Sequence, residues 1–336
     1  LLDGFGRLID YLRISLTDQC NLRCVYCMPL NGLSFLPRSD LLTPEEIETV
    51  ARAAVGVGFR KFRLTGGEPT LRPELVEIVE RLARIPMAQA PLGSSGPALT
   101  MTTNGIRLPV LARDLARAGL KRVNIHVDTL HPERLPQLMR WGRLDKIWAG
   151  IEAAESAGLV PIKINAVITR GFNEDDVIDL ARLTLERDWT VRFIELMPLG
   201  NNATGRLALD RYVSNQETRR KIEAVLGALT PVPSTDPSDE ARNFRLPHAR
   251  GIVGFISPVS EPYCGTCNRM RLTADGKFHL CLLHDDELDV KQVLRNGGGV
   301  PDVQRILARA VATKPTGHAL HLGQHTGQRN MFQIGG

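Results

Sequence analysis

The chain has 336 residues, 43% of them hydrophobic and 24% charged, a balance that suits a soluble globular protein built as one large domain or a large and a small one. A net charge of +5 would favour an anionic ligand or RNA, but no basic run is interleaved with aromatics, which make up only 5%, so nucleic acid is not an expected partner. No apolar run approaches membrane-spanning length, Leu1-Leu2-Asp3-Gly4 is not a signal peptide, and six cysteines without an export signal argue for metal ligation in a reducing cytoplasm.

Residues 8–16 alternate as a strand that leads into Cys20-Asn-Leu-Arg-Cys24-Val-Tyr-Cys27. Three thiolates on one short loop can bind three irons of a [4Fe–4S] cube and leave the fourth iron open to a small molecule. With no fourth cysteine nearby and no histidine before position 126, a structural zinc site built here would lack a ligand. Thr43-Pro44-Glu45-Glu46 starts a helix, with threonine at the cap, proline in the first position and acids in the first turn; Ile47, Val50, Ala51 and Ala54 give it one apolar stripe. Strand 59–65, helix 72–85, a Gly/Ser/Pro loop at 86–97, strand 98–103, helix 108–118 and strand 122–127 follow. A helical stretch near 146–157 precedes strand 160–168, helix 174–187 and strand 190–196.

Six strands each followed by a helix predict a parallel sheet curled into a partial barrel, with chemistry gathered at the carboxyl ends of the strands. The cysteine loop, Thr65-Gly66-Gly67-Glu68-Pro69, Thr102-Thr103-Asn104-Gly105, Asp128 and Met197-Pro198 all fall at or near such ends. After residue 200 the texture changes. Helix 216–226 leads to a Pro/Ser/Asp loop at 231–240, strands at 243–247 and 251–256, a second cysteine group, helices at 288–295 and 301–312, and a Gly/His/Gln-rich tail in which His318, His321 and His325 are expected to be exposed. The division is a domain of residues 1–200 and an extension of 201–336, the second packed across the open side of the first.

Taken alone, Gly66-Gly67 before Glu68-Pro69 is a turn. The second group, Cys264-x2-Cys267-x13-Cys281 with His284 beyond, serves a three-cysteine, one-histidine zinc site as well as a cluster. Arg269 and Arg271 share a face of an extended segment, and Lys163 and Asn165 share one opposite Ile162 and Ile164. A polar face inside a barrel implies a bound ligand, and arginine forks suit the oxygens of a triphosphate. No Gly-x4-Gly-Lys-Ser/Thr loop is present to cradle phosphate in the usual way.

The three-and-two cysteine spacing, with Tyr26 before the last cysteine and Met28-Pro29 after it, resembles the radical S-adenosylmethionine (SAM) superfamily. That resemblance implies an α/β fold, the six-stranded partial (β/α)6 TIM-type barrel, with a smaller C-terminal α+β extension carrying a second cluster. Cys267-Asn-Arg-Met-Arg-Leu272 with Asp275-Gly-Lys277, Leu12-Arg-Ile-Ser15, Arg63-Leu-Thr-Gly-Gly-Glu-Pro69 and Arg192-Phe-Ile-Glu-Leu-Met197 are similar to segments of the GTP 3′,8-cyclase family, in the same order along the chain. That family makes a cyclic dihydroguanosine triphosphate for molybdopterin synthesis. The resemblance implies two [4Fe–4S] clusters, one on Cys20, Cys24 and Cys27 and one on Cys264, Cys267 and Cys281. It implies SAM binding by Tyr26, Gly67, Glu68, His126 (where the family usually has serine) and Met197. It implies GTP binding by Arg13, Arg63, Thr102, Lys163, Arg192, Arg269, Met270 and Arg271, and a diglycine tail, Gly335-Gly336, that reaches the reaction centre. An electron donor such as flavodoxin or ferredoxin and a downstream cyclic pyranopterin monophosphate synthase are the implied partners, and a homodimer is compatible. A radical SAM peptide or cofactor maturase would share the first cysteine loop but would not need the Arg269 and Arg271 pair or the diglycine. A non-enzymatic iron–sulfur and zinc module would need neither Gly66-Gly67-Glu68-Pro69 nor the residues at the strand ends.

Overall fold

The computed structural model describes residues 1–87, 96–199, 203–234, 236–318, 320 and 329–336. Strand β1 (Tyr11–Ser15) leads to the cysteine loop and then α1 (Pro44–Gly56). Thr43 caps α1 through a reciprocal box: its hydroxyl accepts the Glu46 N–H at 3.2 Å, and Glu46 accepts the Thr43 N–H at 2.8 Å. The buried stripe is Ile47, Val50, Ala51, Ala53 and Ala54, as the helical spacing requires. The alternation continues through β2 (Lys61–Thr65), α2 (Leu75–Ala83), β3 (Ala98–Thr103), α3 (Leu108–Ala118), β4 (Arg122–His126), α4 (Leu135–Met139), α5 (Leu144–Ser156), β5 (Lys163–Ile168), α6 (Val177–Glu186) and β6 (Thr190–Glu195). Pairing from β1 to β6 is parallel and sequential.

The extension brings α7 (Ala203–Asp210), α8 (Asn215–Leu226), β7 (Thr230–Val232), β8 (Arg242–Arg245), β9 (Ile252–Ile256), β10 (Arg269–Leu272), β11 (Lys277–His279), β12 (Glu287–Asp289), α9 (Lys291–Arg295), α10 (Val300–Ala312) and α11 (Met331–Ile334). Its strands join the barrel's own sheet: β9 pairs parallel with β6 at one edge and β10 parallel with β1 at the other. Among the described residues the result is one twelve-stranded sheet, β12-β11-β10-β1-β2-β3-β4-β5-β6-β9-β8-β7. Two three-stranded antiparallel units, β10-β11-β12 and β9-β8-β7, thus extend the two edges of the barrel sheet, where the sequence reading has the extension packed across the open side. Residues 287–289, at the start of the helix expected over 288–295, pair with β11 as a strand.

Period-two alternation sorts the side chains. Leu12, Ile14, Phe62, Leu64, Leu99, Met101, Val123, Ile125 and Ile164 turn to one face and are fully buried in the hydrophobic core. The alternate positions turn to the other face. Arg271, Arg13, Arg63, Thr100 and Arg122 stand in register across five adjacent strands, and Thr102, Asn124 and Lys163 across three.

Candidate active site

The cysteine loop leaves the carboxyl end of β1 and is locked by backbone bonds: the amides of Cys27 and Met28 both donate to Cys24 O at 3.0 Å. The Gly66-Gly67 turn docks against its start. Gly67 N donates to Thr17 O and Glu68 N to Gln19 O, each at 2.7 Å. A Cβ on Gly67 would lie 2.3 Å from Gln19 O, so this approach admits only glycine. Glu68 is buried and fully engaged, accepting from Thr70 N, the hydroxyls of Thr70 and Thr103, and Asn104 N.

Cys20, Cys24, Cys27, Tyr26, Gly67, Glu68, His126, Met197, Arg13, Arg63, Thr102, Arg269, Arg271 and Gly336 line one cavity of about 240 Å³. Burial lifts the Cys20 and Cys24 thiols to about 11 and that of Cys27 to about 12. Each is therefore a neutral thiol at neutral pH unless a metal takes the proton's place. Three such thiols on one loop, opening on a shared cavity, fit a cluster with one iron left to another ligand. His126 does more than pack. Its Nε2 stands 2.6 Å from the Tyr26 hydroxyl and 3.0 Å from Asp128 Oδ2, and Asp128 also accepts from that hydroxyl. Burial alone would lower the pKa of His126, but Asp128 and a hydrogen bond to Cys24 outweigh it and raise it to about 10.

The second triad opens on a smaller cavity of about 70 Å³, lined by Cys264, Cys267, Cys281, Lys314 and His318. Met197, Tyr263, Arg269 and Arg271 line both cavities. His284, the fourth ligand of a zinc reading, is absent from this lining; its Nε2 lies 2.9 Å from Gly317 O. His318 also lines the cavity, but its Nε2 lies 2.7 Å from Pro258 O and its Nδ1 accepts from Leu320 N at 3.4 Å, so the donors left to a metal are three cysteines, which again fits a cluster with an open iron. His318 is half-buried with Nε2 2.7 Å from Pro258 O, so it is not an exposed tail residue, while His321 and His325 lie outside the described residues.

Beneath the first cavity the barrel interior is cationic. Burial, together with Arg192 and Arg122, pulls the Lys163 ammonium down to about 7, and burial with Arg13 pulls Arg271 down to about 9. Several buried polar atoms have no partner among the described residues: Thr102 Oγ1, both amide atoms of Asn124, Asn165 Oδ1, and the Nε atoms of Arg13 and Arg192. Unpaired donors and acceptors buried inside a barrel are the mark of a polar ligand's place. Met270 turns away from Arg269 and Arg271, and its side chain packs in the core rather than the barrel interior.

The tail reaches this chamber from outside. Arg329 pairs with Asp275 at 2.9 Å and Glu287 at 2.5 Å, and α11 carries the chain inward. Gly335 O accepts from Arg271, and Gly336 O from Arg13 and, at 2.7 Å, from Thr65 Oγ1. A Cβ on Gly335, whose φ is +88°, would sit 2.5 Å from Thr65 Cγ2. Sequence reasoning missed Arg122, Asn124, Asp128 as a partner of Tyr26, and Glu240. The first three carry a visible signal, lying on the inward parity or at the end of a strand already read; Glu240 lies in a loop and carries none.

Residues 14–184 match the Radical SAM superfamily and residues 189–320 match Molybdenum Cofactor Synthesis C. A GTP 3′,8-cyclase of Moorella thermoacetica is 47% identical over 99% of both chains, and one of Pelotomaculum thermopropionicum is 46% identical over the same shares. In fold, the chain is similar to Streptococcus suis SuiB bound to S-adenosylmethionine, with a TM-score of 0.58 at 14% identity over 97% of this chain and 77% of that one.

Proposed function

The chain belongs to the GTP 3′,8-cyclase family of the radical SAM superfamily, and from that premise we propose how its residues divide the work. It is a radical SAM lyase with [4Fe–4S] clusters and SAM as cofactors, and it converts GTP to (8S)-3′,8-cyclo-7,8-dihydroguanosine 5′-triphosphate, the first step of molybdenum cofactor biosynthesis. A cluster held by Cys20, Cys24 and Cys27, with SAM bound beside it, would supply the radical chemistry that removes hydrogen from ribose C3′ and joins that carbon to guanine C8.

In this reading Cys20, Cys24 and Cys27 hold the first cluster, and Tyr26, Gly67, Glu68, His126 and Met197 hold SAM around it. Glu68 gives the buried carboxylate that an ammonium group needs, and His126 fixes the phenol of Tyr26 through the bonds described above. Cys264, Cys267 and Cys281 hold the second cluster. Arg13, Arg63, Thr102, Lys163, Arg192, Arg269 and Arg271 grip GTP, with Met270 contributing only backbone. Gly335 and Gly336 close the chamber beside Arg13 and Arg271. The protein's share of the rate is positioning and exclusion of water, because a primary carbon radical reacts with whatever lies nearest.

The observation that carries this division is the common wall: Met197, Tyr263, Arg269 and Arg271 border both cysteine-lined cavities. A nucleotide held there has one end toward each triad. An electron donor of the flavodoxin or ferredoxin type, a cyclic pyranopterin monophosphate synthase that takes the product, a cytoplasmic location and a homodimer belong to the same proposal. Among the described residues no helix is long and apolar enough to cross a membrane.

The test is anaerobic. Protein reconstituted with iron and sulfide is given SAM, a reductant and C3′-deuterated GTP, and 5′-deoxyadenosine is analysed for deuterium. Label transfer is the expected result. Abundant unlabelled deoxyadenosine that is indifferent to GTP would move the substrate assignment to another molecule.

A further inference from the structure

Glu240 ends the loop between β7 and β8 with its side chain only 12% exposed, and it stands among the arginines just assigned to the triphosphate. Its Oε2 accepts from Arg269 Nη2 at 2.5 Å; its Oε1 lies 3.3 Å from Arg192 Nη1 and 3.8 Å from Arg63 Nη1. Burial would raise the pKa of this carboxyl, but Arg269, Arg192, Arg63 and Arg13 outweigh it and hold the carboxyl well below the usual range. The loop is tied to the barrel strands, at Ser238 and Asp239 in the interior and at Asp236 on the partly exposed rim. Ser238 O accepts from the same Arg269 Nη2 at 2.7 Å, Asp239 lies 3.6 Å from Arg192, and Asp236 pairs with Lys61 at 2.5 Å.

Glu240 does not saturate these cations. Arg269 Nη1, Arg192 Nε and Arg13 Nε are buried with no partner among the described residues. A single carboxylate carries one charge and two oxygens, too few for this many forks, so the cradle has the capacity of a larger anion. Both anions, however, need the same forks: Arg269 Nη2 already serves Ser238 and Glu240. We propose that Glu240 is a binding determinant of the substrate site, the resident anion of the arginine cradle, which the phosphates of the substrate must displace.

The inference rests on the reading that gives the cradle to a triphosphate. Its content is that phosphate affinity here is a difference: the gain of arginine–phosphate bonds less the loss of arginine–Glu240 bonds. The same carboxylate that weakens phosphate binding stabilises the protein before substrate arrives, because buried like charges need a counter-charge.

Glu240→Gln keeps the shape and removes the charge. Calorimetry on anaerobic protein with both clusters verified by iron content should show GTP binding about tenfold or more tighter than wild type, as expected for deleting one close like charge in a poorly screened site. Inorganic tripolyphosphate should gain by the same factor, and the melting temperature of the substrate-free variant should fall. Unchanged or weaker binding of both probes would overturn the proposal. So would a gain confined to GTP, since that would place Glu240 against the nucleoside. Wild type that binds tripolyphosphate but not GTP would end the GTP reading, while the tripolyphosphate arm would still decide the role of Glu240. Should the glutamine variant not fold, Glu240→Asp, with its shorter reach to Arg269, should show a smaller gain in the same direction; no gain there would overturn the proposal.

Discussion

Cys20, Cys24 and Cys27 lie within eight residues of chain, whereas Cys264, Cys267 and Cys281 span eighteen and include a β-turn between β10 and β11. The first triad is shaped by its own loop, through the amides of Cys27 and Met28 on Cys24 O and of Leu22 on Cys20 Sγ. The second has such a local bond too, from Cys267 N to Cys264 O at 3.2 Å, and is held besides by distant residues. Arg7 donates to the carbonyls of Cys264, Pro315 and Thr316, and a Cβ on Gly317 would lie 3.0 Å from Cys264 Cβ. Their electrostatic settings differ as well. At the first, burial raises the thiols of Cys20 and Cys24; Glu68 adds to the rise at Cys20, while at Cys24 the hydrogen bond and charge of His126 oppose it and Asp128 adds to it. Around the second stands Lys314, which opposes the rise that burial imposes on Cys281, while Arg269 and Arg271 border both triads' cavities. Identical donors can thus serve different partners: the carboxylates Glu68 and Asp128 beside the first suit a cationic sulfonium and ammonium, and Lys314 beside the second suits a phosphorylated substrate.

The sharpest way to break this comparison is to remove one triad at a time. Cys24→Ser should abolish SAM cleavage, with 5′-deoxyadenosine at background. Cys267→Ser should leave deoxyadenosine formation while cyclic product is lost; equal loss of both signals in the two variants would erase the distinction. Next in size, deleting Gly335 and Gly336 should cut product formation by about a hundredfold or more while the fold, by circular dichroism, and the iron content stay intact, since precise positioning is what such contacts supply. Full activity after that deletion would remove the tail from the site.

Arg7→Met tests the remote support of the second triad. It unpairs the buried Asp3 and frees three carbonyls, which should cost about 3 kcal/mol in chemical denaturation. Iron content should fall toward that of one cluster, the loss being at the second triad only. The smallest effect concerns Lys163, whose ammonium burial, Arg192 and Arg122 lower to about 7. Phosphate beside it favours the charged form, so GTP binding at about pH 8 should take up part of a proton and at about pH 6 none. Calorimetry in buffers of different ionisation enthalpy reads this directly, and heats independent of buffer at both values would take Lys163 out of contact with phosphate.

Much of this was legible in the sequence because it is local. The Thr43 cap, the helix at 108–118 and the strand at 98–103 come from capping chemistry and short-range periodicity, and the structure has them at those residues. The cysteine spacing and the Gly66-Gly67 turn are equally local. What was missed is held over long separations. Strands β10, β11 and β12 are three or four residues long, too short for a periodic signal, and β10 exists because β1, more than 250 residues earlier, offers it an edge. Glu240 meets Arg269 and Arg192 at separations of 29 and 48 residues from within a loop whose composition says only that it turns. Arg7 reads as one more surface cation until the carbonyls of residues 264, 315 and 316 surround it.

The parallel pairing of β1 with β10 also sets an order of assembly. During synthesis the outer edge of β1 has no partner until residues 269–272 have been made, so the wall beside the first cysteine loop stays open through most of translation. The segment that finally closes it begins two residues after Cys267 and ends before Cys281. Covering this edge of the sheet therefore brings Cys267 alongside β1, and residues 315–317, made later still, complete the support of Cys264.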